Sequence, residues 1–139
     1  MSSTYSADTL RAELIRDEGL RTMPYRDTLG LMTIGVGRCI ETRGISKNEA
    51  LYLLDNDVKA IEQALDARIP WWRQQTDARQ RALINMAMMG IGRLMEFRRM
   101  LTAWAAGRYA EAAAEALDSK WAHQVGARAT RVADMIRLG

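Results

Sequence analysis

Apolar residues recur at Leu51, Leu54, Val58, Ile61 and Leu65, at alternating steps of three and four that draw one stripe along a helix. Ser46-Lys47-Asn48-Glu49 stands before the stripe as a capping box, and Pro70 follows it, so the pattern predicts one long helix over about 46–67. Upstream, Leu10, Leu14 and Ile15 mark one face of an earlier helix that stops at Gly19. Met23 to Arg26 then reads as a short extended piece, Asp27 to Gly30 as a turn and Leu31 to Gly37 as a strand. Period two puts Met32, Ile34 and Val36 on an apolar face of that strand. Leu31, Thr33, Gly35 and Gly37 take the other, where two glycines leave open floor beside one hydroxyl. Residues 38–44 form a short polar connection.

Beyond Pro70-Trp71-Trp72, Thr76 or Asp77 caps a helix in which Ala82, Leu83, Ile84, Met86, Ala87, Met88 and Met89 are apolar almost all round. Such a helix belongs at the centre of a bundle, its methionines filling gaps and its one interior polar residue, Asn85, requiring hydrogen-bond partners. Gly90, Gly92, Gly107 and Gly126 divide the remainder into helices at approximately 94–105, 109–117 and 127–137. The class is α+β. A chain of 139 residues fits one domain with a core of its own.

Three polar groups cluster around the first turn and strand. Glu18 follows Leu14 by four residues and Ile15 by three, which sets a carboxylate on the apolar side of its helix; there it must find partners or hold its proton. Asp27 heads the turn and Thr33 lies on the strand. Taken singly, each has an ordinary structural role open to it: an aspartate bonding its own turn, a threonine chosen for strand propensity, a solvated glutamate at a helix end. Together, two carboxylates in separated environments suit cleavage of a glycosidic bond, one as acid for the leaving oxygen and one as base or counter-charge across the sugar.

The spacing of Glu18, Asp27 and Thr33 within DEGLR…Y.DT.G..TIGVG resembles the T4-type phage lysozymes, the endolysins of glycoside hydrolase family 24. The resemblance continues through ISKNEALYLLDNDV, RALINMAMMG, residues 97–121 and residues 128–132, covering about 10–135. It implies a lysozyme-like fold: a small β-hairpin lobe at about 18–45, a helical lobe from 1–17 plus 68–139, the long helix joining them and a cleft between. It further implies Glu18 as general acid, Asp27 and Thr33 as the residues that manage water, and Arg128 as the partner of Glu18. Such a pair would oppose the effect of burial, so the direction of the Glu18 shift stays open. The implied substrate is bacterial peptidoglycan, cut by inversion between N-acetylmuramic acid and N-acetylglucosamine. A lytic transglycosylase is the rival enzyme and needs only one acid/base; Asp27 and Thr33 argue against it. A wall-binding or phage structural module that has lost catalysis is the rival outside enzymes.

At family substrate-wall positions this chain carries Cys39, Met88, Met100 and Glu115. Arg38 follows the strand where the family often has histidine, and an ion pair with Asp57 on the long helix is expected. Charge is uneven: residues 1–67 hold 8 Lys/Arg against 11 Asp/Glu, residues 68–139 hold 12 against 6. A basic second half suits a polyanion such as cell wall, and with no nucleic-acid motif beside it DNA or RNA is not the expected partner. One cysteine precludes an internal disulfide, and the lone His123 precludes a histidine triad or multi-histidine metal centre. The chemistry is expected to need neither cofactor nor metal. Residues 1–9 hold no apolar run and no stretch is long enough for a membrane span, so a monomer made in the host cytoplasm, reaching the wall through a separate holin, is expected.

Overall fold

A computed structural model of the chain describes residues 4–139. The first three residues of the segment expected to lack a leader lie outside them. The chain divides into two compact units, Met1–Tyr52 and Leu53–Gly139.

In the first unit, α1 (Ala7–Glu18) begins where the Ser6 hydroxyl accepts from the Thr9 amide and ends at Gly19. Gly19 has φ 78° and ψ 159°, a combination essentially confined to glycine, and turns the chain straight into β1 (Arg21–Arg26). β2 (Met32–Gly35) and β3 (Arg38–Cys39) complete an antiparallel sheet in the order β1-β2-β3. Tyr25 pairs with Thr33 and Thr33 with Cys39, while the register shifts between Arg21 and Tyr25, the interval that holds Pro24. Proline cannot donate to a ladder, and the edge position of β1 accommodates it. A one-turn helix, α2 (Ile40–Arg43), precedes α3 (Lys47–Arg68), which runs on into the second unit.

Several expectations for this unit are corrected. The resemblance implies that residues 1–17 belong to the helical lobe; in the structure α1 falls in the same compact unit as the hairpin. None of its residues is buried, Leu10 and Leu14 being 38% and 44% exposed, so Glu18 does not sit on a core face. On β2 the buried side is that of Thr33, 3% exposed, while Met32 and Ile34 are half-buried and Val36 exposed. The polar connection at 38–44 contains β3 and α2.

The second unit holds the apolar core. Leu65 on α3, Leu83 and Met86 on α4 (Asp77–Ala87), and Trp72 on the 3-10 turn Pro70–Gln74 are closed off from solvent. So are Leu94 on α5 (Ile91–Met95), Trp104 on α6 (Arg98–Ala105), Ala112 on α7 (Tyr109–Leu117) and Ile136 on α9 (Ala127–Leu138). α7 and α9 pack together, with α4 against α9 and α6 against α7, so α4 is covered as its composition predicts. Thr76 caps it by accepting from the Arg79 amide. α8 (Lys120–Val125) was not foreseen, and the single helix expected at 94–105 is two. The end of α3 is tied down by Asp66, which accepts from Trp72 Nε1 at 2.8 Å and Arg73 Nε at 2.8 Å. Arg73 first and Trp72 second hold that carboxyl below its usual range.

Candidate active site

Glu18, Asp27 and Thr33 line one hollow of about 480 Å³ in the first unit, together with Arg21, Tyr25, Arg26, Thr28 and Gly37. Local structure brings them there. Glu18 is the last residue of α1, and Gly19 turns the chain into β1, whose Arg21, Tyr25 and Arg26 line the same hollow. Asp27 closes the β1–β2 turn: its amide donates to Leu31 O at 2.9 Å and its carbonyl accepts from the Gly30 amide at 2.9 Å. Its carboxylate also serves the turn, Oδ1 accepting from Leu29 N at 2.8 Å and Leu31 N at 2.9 Å. Both bonds fall on Oδ1, which leaves Oδ2 outside the turn. The ordinary aspartate role and a second oxygen outside it therefore coexist.

Thr33 is the one buried polar residue among those described. Its hydroxyl donates to Leu31 O at 3.0 Å, so the proton is committed and the lone pairs remain to accept from a donor in the hollow. Glu18 rests against Gly37: a Cβ built on that glycine would lie 2.6 Å from Glu18 Oε2. Arg26 Nη1 braces the turn through Gly30 O at 3.0 Å, and the Arg21 guanidinium lies 4.6 Å from the centre of the Tyr25 ring. Two cations thus share the hollow with two carboxylates. The quoted motif already contains Arg21 and Tyr25 without giving them a role; for Arg26 the only signal was its position on the strand leading into Asp27.

Arg38 takes a partner within its own unit. Its Nη1 donates to Glu49 Oε1 at 2.7 Å, and the same oxygen accepts from the Ser46 amide at 2.8 Å while Ser46 Oγ accepts from the Glu49 amide at 3.1 Å. The Ser46 amide, then Arg38, then the Ser46 hydroxyl lower the Glu49 pKa to about 2.

The expected substrate-wall residues divide between the units, Cys39 in the first and Met88, Met100 and Glu115 in the second. Cys39 is half-buried, with the Thr42 hydroxyl donating to its Sγ at 3.1 Å. Met88 is 45% exposed and lines a separate hollow of about 580 Å³ in the second unit, beside Asn85, Trp121 and Arg128. Met100, 1% exposed, is core, and with Glu115 it borders a third hollow. Arg128 donates through Nε to Asn85 Oδ1 at 2.8 Å and through Nη2 to Asn85 O at 3.0 Å, supplying the partners that Asn85 required. Among the described residues no three His, Cys, Asp or Glu side chains gather as a metal site would need, and no helix is long and apolar enough to cross a membrane.

The model of the phage lysozyme family matches residues 16–135. The chain is 34% identical to the pre-baseplate central spike protein Gp5 of Enterobacteria phage T4, over 92% of this chain and 28% of that protein. It is 27% identical to probable T4-type lysozyme 1 of Dictyostelium discoideum, over 88% of this chain and 90% of that one. A match to the SAR-endolysin of Escherichia phage Mu, at 38%, covers 54% of this chain and 47% of that one. With one family pattern running from the end of α1 almost to the end of α9, the chain belongs to the phage lysozyme family.

Proposed function

We propose that this protein is a peptidoglycan-degrading endolysin that hydrolyses the β-1,4 bond between N-acetylmuramic acid and N-acetylglucosamine with inversion. The observation that carries the reading is the shared hollow of Glu18, Asp27 and Thr33. Glu18 donates its proton to the glycosidic oxygen as the bond to the muramic acid C1 breaks, and the glucosamine leaves as the free 4-hydroxyl. A water attacks C1 from the opposite face; Asp27 Oδ2 takes its proton, and Thr33 Oγ1 accepts a hydrogen bond from the same water and so fixes its place. Room for that water requires carboxyl groups roughly 6.5–9.5 Å apart. The Asp27 carboxylate, bonded to the turn through Oδ1, has Oδ2 for this work.

In the cell we place the enzyme in the host cytoplasm as a monomer, reaching the wall through a separate holin to release progeny by lysis. The likeness to a central spike protein favours a second setting, the same domain carried on a virion component. Antibody detection in purified virions separates the two. The activity itself is tested with purified wild type and Glu18→Gln on peptidoglycan, products identified by mass. Hydrolysis yields a reducing muramic acid heavier by one water than the anhydro-sugar of a transglycosylase, and Glu18→Gln is expected to yield almost none. Wild-type turnover by Glu18→Gln, or an anhydro product, overturns the reading.

A further inference from the structure

We infer that Gly37 is a positioning residue for the Glu18 carboxylate, its missing side chain being the space in which that group is held. A Cβ on Gly37 would lie 2.6 Å from Glu18 Oε2, 3.0 Å from Cδ and 3.3 Å from Cγ. The whole end of the glutamate therefore lies along the glycine. For ordinary contact, which begins at 3.4 Å, the carboxylate would have to retreat by about 0.8 Å.

Which side gives way is decided by what holds each. The backbone just past Gly37 is anchored twice: Arg38 pairs with Ile34 and Cys39 with Thr33 in the sheet, and Arg38 Nη1 is fixed on Glu49 Oε1 at 2.7 Å. Glu18 is the end of a flexible side chain at an exposed helix terminus. The carboxylate moves and the strand does not. A displacement of that size at a reacting group costs about ten- to a hundredfold in turnover.

The sheet supplies its own control. Gly35 has φ +71° against +66° for Gly37, so alanine is strained alike at both, yet a Cβ on Gly35 meets nothing within 4 Å. Gly35→Ala carries the backbone strain without the contact.

The inference rests on Glu18 acting as the acid, and the experiment keeps the two apart. Wild type, Gly35→Ala, Gly37→Ala and Glu18→Gln are compared for kcat and KM on peptidoglycan, for the pH profile of kcat, and for the carboxyl-carbon NMR titration of 13C-labelled Glu18. The expected result is a kcat for Gly37→Ala about ten- to a hundredfold below Gly35→Ala, with KM within about twofold. Its Glu18 carbon titration and acid limb shift where those of Gly35→Ala match the wild type. Shortening the acid in the double variant Gly37→Ala with Glu18→Asp returns space, so the combined loss falls short of the product of the single losses. If Gly37→Ala alone folds poorly, the double variant is compared with Glu18→Asp alone, and a further loss of about tenfold or more overturns the inference. Matching kcat and matching carbon titrations for the two alanine variants overturn the inference. Glu18→Gln with wild-type turnover removes the catalytic meaning of the contact, while the carbon titration still decides whether the contact holds the carboxylate.

Discussion

Asp27 can be tested one oxygen at a time. Oδ1 accepts from Leu29 N at 2.8 Å and Leu31 N at 2.9 Å, one bond exposed and the other part-buried, and Oδ2 takes no part in the turn. Asp27→Asn keeps an acceptor at Oδ1 and loses the charge; Asp27→Ala loses both. A hydrogen bond at such a site contributes roughly 0.5–1.5 kcal/mol, so alanine is expected to cost about 2 kcal/mol and asparagine about 0.5. Loss of a positioned base lowers turnover by about a hundred- to ten-thousandfold, and both variants are expected to show it. Urea unfolding gives the first quantity and reducing-end release from peptidoglycan the second. Asparagine should be nearly as stable as wild type and nearly as inactive as alanine. An asparagine variant that keeps more than about a tenth of wild-type turnover refutes the reasoning, because Asp27 would then be a turn residue and nothing more.

Thr33→Val keeps the shape and removes the hydroxyl, so kcat is expected to fall about ten- to a hundredfold with KM unchanged while Thr33→Ser stays active, as steady-state kinetics will show. Glu49 has its pKa lowered to about 2 from 4.5, so its contribution to folding is whole above about pH 4.5 and is lost as pH falls toward 2. Melting curves from pH 7 to pH 2 should show wild type losing its advantage over Glu49→Gln across that window, and a constant difference contradicts the assignment. Leu83→Ala in the closed core of the second unit is expected to cost about 2–5 kcal/mol by denaturant unfolding. A loss below about 1 kcal/mol would mean that α4 is not central to that core.

Two helix beginnings were legible because the cap is local and a long apolar pattern follows it. Ser46 and Glu49, or Thr76, satisfy amides three residues away, so their sequence spacing carries the whole interaction. The break between α5 and α6 was not, since no glycine or proline marks it. It falls at Phe97, which packs edge-on against Trp121 with centroids 6.2 Å apart, a contact between distant parts of the chain. α8 has its Ser119 cap but only six residues, too few for periodicity to register. At the site, spacing named Glu18, Asp27 and Thr33 because a helix end, a turn and a strand follow one another within twenty residues. What Gly37 does for Glu18 is a through-space fact. The wall positions were carried over by position alone, which brings no packing with it; Met100, for one, is core.

An acid and a base across one hollow with water between them leave a stereochemical record. Proton NMR of the muramic acid anomeric signal, taken within the first minutes of digestion and before mutarotation, reads it directly. The α-anomer appearing first is the predicted result. The β-anomer appearing first would mean that no water is delivered from the opposite face, and would contradict the pairing of Glu18 with Asp27.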